Sequence, residues 1–180
     1  MKEYRRSRRD HRDAPKRRLL RETAREHGLR ILVETGTYMG ETAWALQRDF
    51  DRIETIELEP TLAHLASIRF RRTRNVRVHE GDSATVLPQI LATLDAPALI
   101  WLDAHPSTDR TARGKPIPLR SEIAAIAAHR RAGHVVLIDD LQHMGQPGYP
   151  SREELRLPGY RFEEIGEIAR LSPDDYASRA

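Results

Sequence analysis

The chain has 180 residues, which is enough for one domain with a substantial hydrophobic core and too few for two ordinary domains. Its residues are 39% hydrophobic and 32% charged, it contains no cysteine, and no apolar run approaches the roughly 20 residues that span a bilayer. We therefore expect a cytoplasmic protein with no membrane segment, no disulfide framework and no cysteine-bound zinc.

The formal net charge of +3 is unevenly distributed. Residues 1–30 contain 12 Lys/Arg and 5 Asp/Glu, whereas residues 31–180 contain 18 and 22. A basic segment can bind nucleic acid, but Tyr4 is the one aromatic residue in it that is suited to base stacking. We interpret residues 1–18 as a basic, flexible N-terminal arm and residues 19–180 as a single domain, with a polyanion-binding arm as the alternative.

Predicted helices and strands alternate along the chain. Apolar residues at helical spacing, together with capping signals, predict helices over residues 16–28, 39–50, 60–72, 83–94 and 119–131. Apolar or alternating runs predict strands over residues 30–34, 52–57, 75–80, 98–102 and 134–138. A long loop is expected over 104–118, a short helix over 151–155, and a closing hairpin over 160–165 and 167–171. The alternation predicts an α/β fold with a doubly wound, mostly parallel, seven-stranded sheet, helices on both faces and a C-terminal antiparallel hairpin.

A glycine-rich turn follows the first predicted strand, at the place where α/β proteins bind nucleotide-like ligands. It lacks the dinucleotide pattern, because Tyr38 stands where a pyrophosphate needs close backbone approach. Glu34, just before Gly36, would repel a phosphate and suits an ammonium group. Glu57, 21 residues beyond Gly36, suits a bidentate bond to ribose hydroxyls.

Carboxylates also end the other predicted strands, and the ends of parallel strands meet at one edge of a sheet. Asp103, Asp139 and Asp140 would repel one another without a cation or protons between them. Such oxygen ligands suit Mg²⁺ or Ca²⁺, and His105 would admit a transition metal. The alternative is that one aspartate caps a loop and the others are solvated.

Five motifs, in order, resemble those of class I S-adenosylmethionine (SAM)-dependent methyltransferases over residues 28–172. The similarity is to the catechol O-methyltransferase and macrocin O-methyltransferase-like branch. The motifs are Glu34–Thr42 at the glycine turn, Ile56–Pro60 at the ribose acid, Glu80–Pro88 on the adenine side, and Trp101–His105 and Ile138–Asp140 at the two metal-bearing strand ends.

The resemblance implies a Rossmann-like methyltransferase fold and a SAM-dependent methyltransferase that methylates a hydroxyl of a small molecule with the help of Mg²⁺ or another divalent cation. It implies that Glu34 and Gly36 hold the methionine amino group, that Tyr38 and Thr42 line the methionine end, and that Glu57 takes the ribose. The full set of implied cofactor contacts is Glu34, Thr35, Gly36, Thr37, Tyr38, Thr42, Glu57, Leu58, Asp82, Ser83 and Asp103. The implied metal ligands are Asp103, Asp139 and Asp140.

One departure concerns the general base. Catechol-type enzymes carry a lysine three residues past the metal aspartate, and this chain has Pro106 there. His105 and His143 are the candidate replacements, because a histidine pKa suits proton removal near neutrality. Asp103 completes the candidate catalytic set, and Lys115 in the long loop is a further group within reach of the site. The acceptor stays open between a hydroxyl, an amine and another group.

Two alternative functions remain. One is an RNA or protein methyltransferase that uses the basic arm, although residues 103–106 lack the Pro-Pro-aromatic pattern of enzymes that methylate base amino groups. The other is a non-catalytic, cofactor-binding domain of the same fold. Because the chain has little material for a substrate lid, a homodimer or the arm itself is expected to supply one.

Overall fold

The computed structural model describes residues 8–103, 117–129 and 133–175, with side chains from residue 15 onward. Within those ranges a seven-stranded sheet lies between two layers of helices. The strands are β1 (Ile31–Thr35), β2 (Arg52–Glu57), β3 (Val76–Glu80), β4 (Ala98–Leu102), β5 (Val135–Ile138), β6 (Tyr160–Ile165) and β7 (Ile168–Pro173). The helices are α1 (Arg8–Glu26), α2 (Glu41–Leu46), α3 (Pro60–Phe70), α4 (Ser83–Ala92) and α5 (Leu119–Ala128). No helix in this part of the chain is long and apolar enough to cross a membrane.

The strand order is β3-β2-β1-β4-β5-β7-β6. Strands β1 to β5 pair in parallel, and β7 runs antiparallel to both of its neighbours, β5 and β6. The predicted mostly parallel sheet with a closing antiparallel hairpin is confirmed. The strand order reverses direction between β1 and β4, and open α/β sheets bind ligands at such a switch point, beyond the carboxyl ends of the strands.

The central strands are apolar because both faces of the sheet are covered. Every residue of β4 and β5 is buried. Helices α4 and α5 cover one face, with Leu87 and Ile123 in its core, and α1, α2 and α3 cover the other, with Leu20 and Phe70 in its core. A hydrophobic layer therefore packs on each face of the sheet, and this packing positions the edge formed by the carboxyl ends of strands β1 to β5.

Helix α1 begins at Arg8, eight residues before the predicted start at residue 16. The predicted boundary at residue 18 therefore falls inside a helix. Leu20 and Ala24 of α1 are buried, and two of its arginine side chains bond to Asp49. Charges that look purely solvated in the sequence thus have tertiary partners. The flexibility of the arm stays a prediction.

Other element bounds also differ from the prediction. The helix predicted over 39–50 is limited to α2, because Gly40 precedes it in a left-handed conformation (φ 70°) and residues 47–49 form a turn. Residues 152–155 form turns rather than the predicted short helix. A 3₁₀ helix, Leu141–His143, follows β5 and was not predicted. Most of the predicted loop over 104–118 lies outside the described residues.

Candidate active site

Carboxylates from four parallel strands meet at one edge of the sheet. Glu34 lies at the end of β1, Glu57 ends β2, and Asp103 and Asp139 directly follow β4 and β5. The backbone N–H of Asp103 donates to the Thr35 carbonyl (3.2 Å), and that of Asp139 donates to the Leu102 carbonyl (3.0 Å). These bonds extend the sheet by one residue, so Asp103 lies between the ends of β1 and β5.

The turn after β1 has a backbone that favours glycine. Gly36 and Gly40 have φ values of 89° and 70°, and a Cβ on Gly40 would lie 2.6 Å from Cε2 of Phe70. Tyr38 is also left-handed, with φ 48°, which is uncommon for a bulky residue and costs free energy. Its N–H donates to Oε2 of Glu57 at 2.6 Å. The turn is thus hydrogen-bonded to Glu57, the acid at the end of the neighbouring strand β2.

Glu57 is held in one orientation by backbone donors. Its Oε1 accepts the N–H of Glu59 (2.9 Å), its Oε2 accepts that of Tyr38, and the residue is 4% exposed. An ionised carboxylate has about four acceptor positions. Two positions remain, and they suit a pair of adjacent hydroxyl groups. Leu58, the next residue, is half-buried.

Glu34 lies beneath the turn among threonine hydroxyls. The Thr55 hydroxyl donates to its Oε2 at 2.7 Å and lies 2.6 Å from the Thr37 hydroxyl. Burial raises the pKa of Glu34 to about 7, although hydrogen bonds from Thr55 and Thr42 and the charge of Arg17 oppose the rise. A carboxyl group with a pKa near 7 loses its proton readily when a cation approaches, because the positive charge stabilises the carboxylate.

Asp82 and Ser83 begin α4 at the end of β3. Asp82 is exposed and caps the helix, accepting the N–H of Ala84 at 3.0 Å. Ser83 is buried, and its hydroxyl acts to lower the pKa of Glu122 of α5. The structure therefore places both predicted residues on the same rim as Glu57.

Glu122 was missed by the sequence reasoning. It is 1% exposed, and its Oε1 has no hydrogen-bond partner among the described residues. Burial raises its pKa to about 7. The available signal was an acid on the inward face of α5, next to Ile123 and one turn before Ile126. The residue thus places a buried acid of α5 beside Thr35, at the end of β1, and Ser83, at the start of α4.

The β4–β5 half of the edge is arranged differently. Asp139 is 1% exposed; its Oδ1 accepts the N–H of Asp140 (2.9 Å), and its Oδ2 forms an ion pair with Nζ of Lys16. Asp140 has φ 58°, and its Oδ1 accepts from Gln142 (3.0 Å). Burial raises the pKa of Asp103 well above its usual range; Asp139 adds to the rise and Lys16 opposes it.

Lys16 was also missed as a site residue. Burial alone lowers its pKa, but the bond to Asp139 and the charges of Asp103 and Asp140 outweigh burial and raise the pKa overall. The side chain is therefore an ammonium at neutral pH. The available signal was its place one turn before Leu20 on the buried face of α1.

The predicted metal site does not fit these residues. Lys16 holds one oxygen of Asp139, and Gln142 bonds to Asp140. Among the side chains of residues 15–103, 117–129 and 133–175, no three from His, Asp or Glu are grouped so that they could bind a metal ion. A divalent cation would have to displace the lysine before it could use Asp139.

Of the candidate general bases, the structure describes only His143. His105 and Lys115 lie outside the described residues. His143 is half-buried at the end of the 3₁₀ helix, with its ring 5.6 Å from that of Tyr149. His143 thus packs against an aromatic ring on the loop that follows β5.

Comparison with solved structures identifies the fold. The O-methyltransferase TomG from Streptomyces achromogenes, in complex with SAM, is 23% identical, with 89% of this chain and 79% of that chain covered and a TM-score of 0.62. An O-methyltransferase from Bacillus cereus, in complex with SAH, is 19% identical, with 88% and 81% covered and a TM-score of 0.65. The chain has the methyltransferase fold.

The same fold also occurs in an enzyme that acts on RNA. The 23S rRNA methyltransferase ErmE is 14% identical, with 89% of this chain and 68% of that chain covered and a TM-score of 0.62. No protein-family model matches the sequence, and no curated protein matches it significantly. The assignment of an activity must therefore come from the site.

Proposed function

We propose that this protein is a SAM-dependent methyltransferase that acts on a small molecule, with a hydroxyl oxygen as the acceptor. The observation that carries the proposal is the Glu57 carboxylate, which two backbone amides fix at the switch edge of a methyltransferase fold. Its two remaining acceptor positions match the adjacent hydroxyls of a ribose.

Bound SAM supplies an electrophilic methyl group on a positively charged sulfur. On the protein side, Glu57 binds the ribose hydroxyls, and Glu34 provides negative charge beneath the turn that favours the ammonium end. Thr35, Gly36, Thr37, Tyr38 and Thr42 form the turn and the start of α2 that face this end. Leu58, Asp82 and Ser83 complete the rim on the adenine side.

The acceptor is expected at the β4–β5 half of the edge, next to Asp103. Methyl transfer is an in-line displacement that needs alignment and a deprotonated acceptor. Asp103, His105 and His143 remain the candidate catalytic residues. The related O-methyltransferases favour oxygen as the acceptor atom. The predicted divalent cation has no support from the donor set, and no step is assigned to it.

Titration calorimetry with SAM and with SAH tests the proposal. We expect Glu57→Ala to weaken binding at least about 100-fold, because two hydrogen bonds to a charged group are lost. Asp51→Ala is the matched control, since Asp51 is an exposed acid directly before β2, at the opposite end of the strand from Glu57. Circular dichroism checks that each variant is folded.

Two results would contradict this assignment. One is the absence of measurable SAM binding by the wild-type protein at millimolar SAM. The other is a folded Glu57→Ala variant that binds as tightly as the wild type. Conversion of SAM to SAH with a panel of hydroxylated compounds then separates an enzyme from a non-catalytic domain that only binds the cofactor.

A second candidate, an RNA methyltransferase, is favoured by one observation. Arg71, Arg72, Arg74 and Arg77 are exposed after α3 and along β3, and none of them forms an ion pair with a described residue. Exposed arginines grouped in this way suit phosphates. Binding of a labelled RNA hairpin that weakens with salt and is lost in Arg72→Glu/Arg74→Glu would support this function over the small-molecule one.

The predicted homodimer is retained as part of the proposal. Tyr38, Met39 and Trp44 are large hydrophobic residues that remain 41%, 37% and 48% exposed beside the glycine turn. A second copy of the chain that covered them would also supply a lid. Sedimentation velocity measures whether the protein is dimeric.

A further inference from the structure

Lys16 is brought to the carboxylates by a helix that is anchored elsewhere. Helix α1 packs on α2 and against β4. Leu20, one turn after Lys16, is 1% exposed, and Arg21 bonds to Asp49 at 2.9 Å. Arg17 lies 3.6 Å from Glu41 of α2. The ammonium group is thus held at the edge by contacts of α1 that do not involve Asp103, Asp139 or Asp140.

The carboxylates need a positive charge at this position. Asp139 is completely buried, and a buried carboxylate requires a cationic or hydrogen-bonding partner. Lys16 pairs with Oδ2 of Asp139, and its charge also acts on Asp103 and Asp140. Among the described residues, Lys16 thus supplies a positive charge at the position that the sequence assigned to a metal ion.

A metal ion and this lysine would compete for the same oxygen. Mg²⁺ requires near-octahedral oxygen ligation at about 2.0–2.1 Å and is reluctant to lose its water. A lysine held on a packed helix is present at high effective concentration and needs no dehydration of a free ion. An ion at Asp139 would also experience the repulsion of an ammonium at close range.

We propose that Lys16 is a built-in cation that replaces a divalent metal ion at the β4–β5 edge, so that the protein positions Asp103 and Asp139 without binding Mg²⁺ or Mn²⁺ there. Lys16 is then a positioning residue that acts through these carboxylates. The relevance of Lys16 to catalysis rests on the proposed function. The binding of a metal ion is measured without any methyl transfer, so the two proposals fail separately.

Titration of Mn²⁺, followed by calorimetry and by the electron paramagnetic resonance signal of the free ion, tests the proposal. The samples are the full-length wild-type protein, Lys16→Met, and the matched control Arg18→Met. Arg18 is an exposed cation of the same helix that pairs only with Glu22 among the described acids. The wild type and Arg18→Met are expected to show no saturable site. Lys16→Met is expected to gain one saturable site, with an affinity at least about tenfold above any residual Mn²⁺ binding by the wild type.

The location of the gained site is checked with Lys16→Met/Asp139→Asn, which is expected to lose it. The proposal is overturned if the wild type binds one Mn²⁺ and Asp139→Asn alone abolishes that binding. It is also overturned if folded Lys16→Met binds no more Mn²⁺ than Arg18→Met. If Lys16→Met does not fold, Lys16→Gln replaces it. If that variant also does not fold, the comparison of Mn²⁺ binding by the wild type and by Asp139→Asn tests the proposal. SAM binding by the same samples reports on the proposed function separately.

Discussion

The two halves of the carboxyl edge use the same kind of residue with different partners. In the β1–β2 half, Glu34 and Glu57 are held by neutral donors, namely threonine hydroxyls and backbone amides. In the β4–β5 half, Asp139 is held by an ammonium group. Neutral donors orient a carboxylate and leave its charge available to a ligand, whereas an ion pair neutralises it. The position of an acid at a strand end therefore does not decide its chemistry until its partners are known.

Loss of the ammonium should have the largest effect on stability. Lys16→Met leaves the buried Asp139 carboxylate without its cation, and we expect the free energy of unfolding to fall by about 3 kcal/mol at neutral pH. Urea denaturation measures it, with Arg18→Met expected to change it by less than about 0.5 kcal/mol. A loss as small as that of the control would mean that the two halves do not differ as described.

The protonation of Glu34 gives the second contrast. Its pKa is raised to about 7, so the folded state holds a proton that the unfolded state releases near pH 4.5. This contribution to stability is complete at acidic pH and is lost as the pH rises from about 4.5 to about 7. Glu34→Gln cannot ionise, and we expect it to be about 2 kcal/mol more stable than the wild type at pH 8, below the roughly 3 kcal/mol that the full shift represents.

Urea denaturation across this pH range checks the sign. Glu122 has a similarly raised pKa, and that of Asp103 is also raised, so the single variant should reduce the slope and Glu34→Gln/Glu122→Gln should reduce it further. A variant whose stability parallels that of the wild type from pH 4.5 to pH 8 would show that Glu34 is already ionised in the fold.

The smallest effect is expected from a neutral donor. Thr55→Val keeps the shape of the side chain but removes the hydroxyl that joins Glu34 and Thr37. We expect a loss of about 1 kcal/mol, typical of a buried neutral hydrogen bond, and little change with salt. Thr85→Val, at an exposed position of α4, is the control. A loss as large as that of Lys16→Met would remove the distinction between the two halves.

The strand ends were predictable because burial on both faces dictates apolar runs, and the first polar residue after each run marks the edge. Asp103 and Asp139 were located in this way, and Glu57 by its position at the end of an alternating run, 21 residues beyond Gly36. Lys16 was not recognised, because its partner lies 123 residues away and local periodicity carries no information about it. Glu122 resembled a surface acid, because the hydroxyls of Ser83 and Thr35 that act on it belong to other elements. Sequence patterns thus located the acids, and tertiary contacts decided their roles.

The sequence distance between Lys16 and Asp139 also has a consequence for biosynthesis. The Tyr38–Glu57 and Glu59–Glu57 contacts join residues at most 19 apart, so the β1–β2 half is complete in sequence once about a third of the chain has been made. Helix α1 is synthesised first but meets Asp139 much later, and its Glu26 pairs with Arg170 of β7 later still. Contacts of such separation close slowly. On the ribosome, the half that carries Glu57 can therefore assemble before the half that carries Asp139. Lys16, the cation that pairs with Asp139, is synthesised early and remains without this partner until β5 has been made.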